Sequence, residues 1–478
     1  MDSRTKIVAT IGPASEPPEV LDEMLRAGVD VVRLNLSHGT LAGHIDRVRA
    51  VREAAERVGQ VVAVLADLPG PKVRAASFPD GITLLTAGTT VRLTPYGSAS
   101  TGDTICVEYP TLLDDLEAGD RIVLGDGAIS LQVQRVDDEA VTATVLTGGQ
   151  TQGCPGVHLP GHRMRLSTPT DEDLEMAKVM VGAGVDFLAV SFVRSATDLR
   201  KVRAAVAPAT VRLVAKIETL PAVDSLSEIA QEADGIMVAR GDLGIECPLE
   251  DVPHLQKQII RHCVEVGVPV ITATQMMESM ITAPSPTRAE VSDVANAVFD
   301  GTDALMLSAE TAVGVDPVAV VKAMVAVADR AEEEASYSQW GRRLGRTQRA
   351  EWPDGPDRIT MAITHAAGLA AVDSGASAIL CCTRSGRSAQ AMARFRPTPQ
   401  LLGLSPDPAT VRAMALSWGV TPLKVDTYTS TDEMVWFAVE RAVRGGYVAP
   451  GDVVLVLAGA PDLPSGASTD VLRIVSIA

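Results

Sequence analysis

Eight short runs of Val, Ile, Leu and Ala, separated by amphipathic helical stretches, constrain this chain more than any other feature. The first three are TKIVAT (5–10), DVVRLNL (30–36) and VVAVLA (61–66). Five more follow at DFLAVSF (186–192), VRLVAKI (211–217), GIMVAR (235–240), VPVITAT (268–274) and DALMLS (303–308). A strand with one wet face alternates polar and apolar residues, so near-continuous apolar runs point to a parallel sheet covered on both sides. Eight such strands with helices between them predict an α/β fold, a (β/α)8 TIM barrel.

The third and fourth runs lie over a hundred residues apart, too far for one crossover helix. Only Thr170 to Gly184 reads as that helix, with Asp171, Glu172 and Asp173 in its first turn. The stretch before it has another texture: TTVRLT, DTICVEY, DRIVLGDG, AISLQVQRV and AVTATVL are short β patterns punctuated by Gly and Asp. They predict an all-β insertion on a barrel loop, placed to act as a lid. The polar, turn-rich stretch RTQRAEWPDGPDR reads as a linker, and beyond it a helix pattern (359–373) and the runs ASAILCCT, QLLGLS, DVVLVLAG and VLRIVSI predict a further α/β domain. The expected division is barrel 1–70, β-barrel lid domain 71–165, barrel 166–342 and C-terminal regulatory domain 343–478. Three domains suit 478 residues, because single cores stop growing well below that length.

Composition removes several function classes. A net charge of −18 repels nucleic acid. There is no stretch of about 18 apolar residues and no signal-peptide pattern, so neither a membrane nor export is expected. The six cysteines lack disulfide-framework or zinc-finger spacing and read as reduced thiols in a cytoplasmic protein.

Residues two apart on a strand share a face. On that rule the strand ends carry Arg33, Asn35 and Ser37, then Asp67, Lys216 with Glu218, Arg240 with Asp242, Thr272 with Thr274, and Ser308 with Glu310. All lie at C-terminal strand ends, where barrel enzymes place their chemistry. Lys216 is one of only eight lysines and follows Leu-Val-Ala in a run that should be buried. A buried ammonium needs anionic partners, and Glu218 or a bound phosphate would serve. The plainer reading is a structural Lys–Glu ion pair. Glu218 and Asp242 form a two-carboxylate set of the kind Mg2+ favours, with positions left for water and phosphate oxygens. No Gly-Lys dipeptide occurs, so a P-loop is excluded, and no G-x-G-x-x-G follows a strand.

At these positions the sequence resembles a known family. VATIGPAS (8–15), VVRLNLSHG (31–39), AKIET (215–219), MVARGDLGIE (237–246), TATQMMESM (272–280), PTRAEVSDVANAVFDG (286–301) and MLSAETAVG (306–314) resemble pyruvate kinase motifs in the same order. The resemblance implies transfer of a phosphoryl group from phosphoenolpyruvate to ADP, giving pyruvate and ATP in glycolysis. By the same resemblance Lys216 would neutralise the phosphoryl group in flight and the forming enolate, and Arg33 would clamp the phosphoryl group. Glu218 and Asp242 would hold Mg2+ or Mn2+. The amides of Gly241 and Asp242, with Thr274, would hold the substrate carboxylate, and Thr274 would join the proton relay to pyruvate. Asn35, His38 and Arg74 would face the nucleotide. Asn35, Ser37 and Asp67 match a monovalent-cation site, and Ser191 and Ser308 are expected to support the site from behind. A homotetramer is implied as well.

Two departures, and one further resemblance, follow. Lys72 stands where potassium-dependent members carry Glu, so a fixed positive charge would replace K+, which is then not required. GCPGVHLPG (153–161) places Pro155 where the family has a nucleotide-contacting lysine and His158 where it has Asn; Arg163 or Arg165 would compensate. Thr383, Arg384, Ser385, Gly386, Arg387 and Ser388 lie between a strand and a helix and resemble the effector-phosphate loop, which would take a sugar phosphate or AMP beneath the loop Gly459 to Ser468. Two other functions compete. One is a phosphoenolpyruvate- or pyruvate-binding barrel lyase, and the other a catalytically weakened, metabolite-sensing relative.

Overall fold

The structure, a computed structural model, describes residues 3–125, 129–160, 167–335, 356–428, 430–459 and 469–478. The eight apolar runs become β1 (Lys6–Thr10), β2 (Val31–Asn35) and β3 (Ala63–Asp67), and, after the insertion, β12 (Phe187–Val190), β13 (Arg212–Ile217), β14 (Gly235–Ala239), β15 (Val270–Ala273) and β16 (Ala304–Leu307). They close into one parallel barrel in chain order.

Burial on both faces explains the apolar runs. Val8, Val31, Leu65, Phe187, Val214, Met237, Ile271 and Met306 fill the barrel interior. Their strand neighbours Ile7, Val32, Val64, Leu188 and Leu213 pack outward against the helices. The alternation of eight strands with helices therefore never needs a polar strand face. Ala413, Ala415 and Leu416 of the C-terminal domain join the interior cluster, so that domain stops the barrel from one end.

Between β3 and β12 lie β4 (Phe78–Leu85), β5 (Thr90–Thr94), β6 (Thr104–Cys106), β7 (Arg121–Leu124), β8 (Ile129–Val136), β9 (Val141–Thr147), β10 (Gly149–Gly153) and β11 (Val157–His158). They form a six-stranded sheet in the order β11-β7-β8-β9-β5-β6 and a β10–β4 pair. The helix Asp171–Gly182 then starts on a capping box between Thr170 and Asp173, which satisfies two otherwise orphaned amides. The spare oxygen of Asp173 accepts the Gly70 amide at 3.0 Å and fixes the chain just after β3. Gly70 has φ 69, and a Cβ there would sit 2.9 Å from that of Ser191, so only glycine lets this loop lie against β12.

The C-terminal sheet has the order β19-β18-β17-β20-β21, from β17 (Ala378–Cys382), β18 (Gln400–Ser405), β19 (Val420–Lys424), β20 (Val453–Ala458) and β21 (Val471–Ser476). Only β21 runs antiparallel. The expected boundaries at 165 and 342, most of the linker, Arg163 and Arg165 lie outside the described residues.

Candidate active site

Strand parity aims the site. On β2, β3, β12 and β13 the inward positions continue past the last hydrophobic layer to Arg33, Asp67, Ser191, Lys216 and Glu218. They meet at the barrel mouth, lining a cavity of about 430 Å³ beneath the β insertion. Asn35, Ser37, His38, Lys72 and Arg74 line the same cavity, as do Asp242 and His158. Thr274 and Gly241 lie beside it, joined by a 2.9 Å hydrogen bond from the Gly241 amide to Thr274 Oγ1.

Lys216 Nζ lies 2.8 Å from Glu218 Oε1 and 3.3 Å from Asp67 Oδ1, and it donates to Ser191 Oγ at 2.7 Å. Burial works against its charge, but Asp67, Glu218 and Asp242 outweigh it and hold the ammonium firmly protonated. Asp67 also receives Arg33 through Nε at 2.8 Å and Nη2 at 2.7 Å. One buried carboxylate thus orients both cations of the site. Burial alone would raise its pKa, yet Lys216 and Arg33 keep it below the ordinary range.

The two remaining acids behave in the opposite way. Burial, with Asp242 nearby, pushes Glu218 up to about 7 despite Lys216. Burial and Asp67 raise Asp242 as well. Glu218 Oε2 accepts the Phe192 amide at 2.6 Å, but Oε1 makes no hydrogen bond of proper geometry, its approach to Lys216 being close but off-direction. A buried oxygen with lone pairs to spare, beside a second carboxylate reluctant to share its charge, fits a divalent cation. Among the described residues no cluster of three or more His, Cys, Asp or Glu could hold a metal. Two carboxylates with the rest of the shell left open suit Mg2+, which keeps several waters and substrate oxygens.

Three of the four non-glycine residues with positive φ among the described residues surround this mouth: Phe192 (54°), Thr274 (70°) and Gln275 (54°). Such backbone costs of order 1–3 kcal/mol each and persists where surrounding contacts fix it. Here it turns the Phe192 amide onto Glu218 and carries Thr274 to the Gly241 amide.

The sequence rule of two fails where strands end. Arg240 opens the helix Arg240–Glu246 on the outer side and pairs with Asp293 at 2.7 Å and Gln256 at 3.2 Å. Thr272 is wholly buried and bonds Thr302. Glu310 caps its own turn through the Ser308 amide and also takes that of Met277. None of these three enters the cavity. Ser191, expected behind the site, touches Lys216 directly. The anchoring role of Asp67 was legible only as an acid at a strand end. Lys72 stands at the cavity mouth, where burial and the charges of Arg74 and Lys216 lower its pKa while Asp67 and Asp242 act against the fall.

In the C-terminal domain, the Gly386 amide donates to Thr383 Oγ1 at 2.9 Å, and Ser388 bonds Thr469. The helix Arg387–Ala393 begins at Gly386 with φ 89 and no side-chain cap, so Ser388 is not its cap. Arg384, Ser385 and Arg387 are exposed. Residues 460–468 of the covering loop lie outside the described residues.

Two family models match. "Pyruvate kinase, barrel domain" covers residues 2–321 and "Pyruvate kinase, alpha/beta domain" covers 361–475. Pyruvate kinase of Geobacillus stearothermophilus is 41% identical over 99% of this chain and 80% of its own length. That of Sporosarcina psychrophila is 40% identical over 98% and 80%, and that of Staphylococcus aureus (strain USA300) 38% over 98% and 80%. Fold and similarity define a (β/α)8-barrel phosphotransferase carrying a β insertion and a separate α/β domain. The chain belongs to the pyruvate kinase family.

Proposed function

We propose that the Lys216 centre moves the phosphoryl group of phosphoenolpyruvate to ADP, and that the residues around it divide the work as follows. The observation that carries this reading is the placement of Lys216 and Arg33 on one shared buried carboxylate, Asp67, with both cations facing a single cavity. The phosphorus–oxygen bond to the enol breaks, a new one forms to the terminal oxygen of ADP, and the enolate left behind takes a proton at its methylene carbon. Lys216 and Arg33 meet the charge on the moving group, the main task in phosphoryl transfer. Asp67 holds both in place before substrate arrives, so no reorganisation is needed during the step.

Glu218 and Asp242 would hold Mg2+ or Mn2+, which supplies charge neutralisation at the substrate oxygens when bound. The substrate carboxylate would replace Thr274 Oγ1 as acceptor of the Gly241 amide, with the Asp242 amide beside it. That exchange frees the Thr274 hydroxyl for the proton relay. Asn35 and His38 from the barrel, and Arg74 from the insertion (residues 71–165), line the cavity and would face the nucleotide. His158 lines the same cavity and would take part in nucleotide recognition, with no lysine at Pro155. Lys72, close enough to Asp67 and Asp242 to feel their charge, would stand in for K+ at the Asn35–Ser37–Asp67 site.

The same reading makes the loop Thr383–Ser388 an effector-phosphate site for a sugar phosphate or AMP, supported by its exposed arginines. A homotetramer is supported by exposed Leu249, Val315 and Trp436, and a cytoplasmic setting by six free thiols. Among the described residues no helix is long and apolar enough to cross a membrane. Pyruvate formation from phosphoenolpyruvate, followed with and without ADP, tests the whole. Strict ADP dependence is expected. Turnover without ADP would favour a carbon–carbon lyase, and binding without turnover would favour a sensor.

A further inference from the structure

The structure assigns a second ligand site, for a single small inorganic anion of chloride size, to the junction of the barrel base and the C-terminal domain, where Arg394, Arg396 and Ser417 converge. These side chains are 3%, 1% and 1% exposed. They line one small cavity of about 10 Å³, together with Asp303 and Gln390.

Their donors outnumber the acceptors that meet them. Arg394 Nη1 reaches the Glu265 carbonyl at 3.3 Å and its guanidinium lies 4.6 Å from the Phe395 ring centre. Its Nε and Nη2 have no hydrogen-bond partner among the described residues. Arg396 spends Nη1 on Asp303 at 3.0 Å and Nη2 on the Gly301 carbonyl, with its plane 4.6 Å over Trp418. Its Nε is unpartnered among the described residues, and so is Ser417 Oγ. Both oxygens of Asp303 are already engaged. Its Oδ2 takes the Val270 amide and its Oδ1 takes Arg396 and the Trp418 amide.

Charge and size select the ligand. Two guanidiniums and one carboxylate line the cavity, and the carboxylate pairs with Arg396, which leaves the buried charge of Arg394 in excess among the described residues. An unpaired buried charge is costly, and so is each buried donor left without an acceptor. Among the described residues nothing negative offsets that burial at Arg394, whose pKa it draws down to about 10. Cys263, on the same wall, is held as the thiol by burial and by Asp303, so it brings no negative charge. A cavity of this volume holds about one spherical centre, too little for a tetrahedral oxyanion. A water would fit but would turn two protons toward walls that already donate. Arg396 has φ 49, and backbone held in that region marks a place where surrounding contacts dictate geometry. The site joins parts that matter elsewhere. Arg394 follows the helix Arg387–Ala393, whose far end is the loop Thr383–Ser388, and Asp303 directly precedes β16.

The test uses the full chain in two experiments. Crystals grown in bromide should show an anomalous peak between Arg394 Nε, Arg396 Nε and Ser417 Oγ. At fixed ionic strength, chloride in place of gluconate should raise Tm by at least about 2 °C, saturably. Both signals should vanish in Arg394→Met and weaken in Ser417→Ala, which keeps the packing and carries the test if the first variant does not fold. No peak, or a density without anomalous signal, would mean water and overturns the assignment. A peak without the Tm response, or one that survives both substitutions, marks an adventitious ion only and overturns it equally.

Discussion

Replacing Lys216 by Met removes the ammonium and leaves a side chain of similar length in the barrel mouth. The charge it presents lies within hydrogen-bond reach of Ser191 and Glu218 and 3.3 Å from Asp67. A phosphoryl oxygen at about 4 Å, with an effective dielectric constant near 20, would gain about 4 kcal/mol from that charge. At 1.36 kcal/mol per decade this is about a thousandfold in kcat. The fold should survive. Glu218, deprived of its counter-charge, takes up a proton, a change toward which burial already pushes it, and Asp67 keeps Arg33. The assay is lactate-dehydrogenase-coupled pyruvate formation at saturating substrates, with far-UV circular dichroism as the folding control. Because Lys216 acts on charge that develops in the step, kcat should fall far more than KM rises. A folded variant retaining more than about a tenth of wild-type kcat would refute the argument.

Binding of Mg2+ to the substrate-free protein should tighten as pH rises toward 7 and level off above it. Glu218 is raised to about 7 and Asp242 is raised too, so both must lose protons to bind metal; calorimetry showing flat affinity from pH 5.5 to 8 would refute this. The same raised carboxyl means the metal-free native state binds more protons than the unfolded chain between about pH 4.5 and 7, so stability falls with rising pH across that window. Glu218→Gln should flatten the slope in a denaturant titration, and an unchanged slope would count against it. Activity in sodium- and potassium-free buffer should change by less than about twofold on adding K+ if Lys72 supplies the charge, and a large activation would sink that idea. Asp186→Ala should cost about 3–5 kcal/mol in chemical denaturation. Its buried carboxylate receives the Val64 amide at 2.8 Å, Arg52 at 2.7 Å and, from the C-terminal domain, Arg412 at 2.7 Å; a loss below about 1 kcal/mol would refute the linkage.

Much of this was written in local patterns. The eight apolar runs fixed the barrel strands to within one or two residues, because a strand buried on both faces has nowhere to place a polar residue. Strands that break that rule were hidden. β4 contains Pro79 and Gly81, β19 contains Pro422, and β10 reads GQTQG. Edge and paired positions tolerate such residues when tertiary partners supply the stability.

The active site divides in the same way. Lys216, Glu218, Arg33 and Asp67 were legible because strand parity is a local property, and parity alone aims them inward. Parity holds only while the backbone stays extended. Arg240 turned outward at a helix start, while Thr274 reached the site through a left-handed φ that no periodicity encodes. That Asp67 serves two cations depends on β2, β3 and β13 curving toward one axis. The meeting of Arg396 with Asp303 required two domains to dock. The sequence alone determined which residues could face inward and which charges the barrel mouth would carry. Only closure of the sheet and docking of the last domain decided which charges meet, since contact between residues far apart in the chain depends on curvature and register rather than on neighbours.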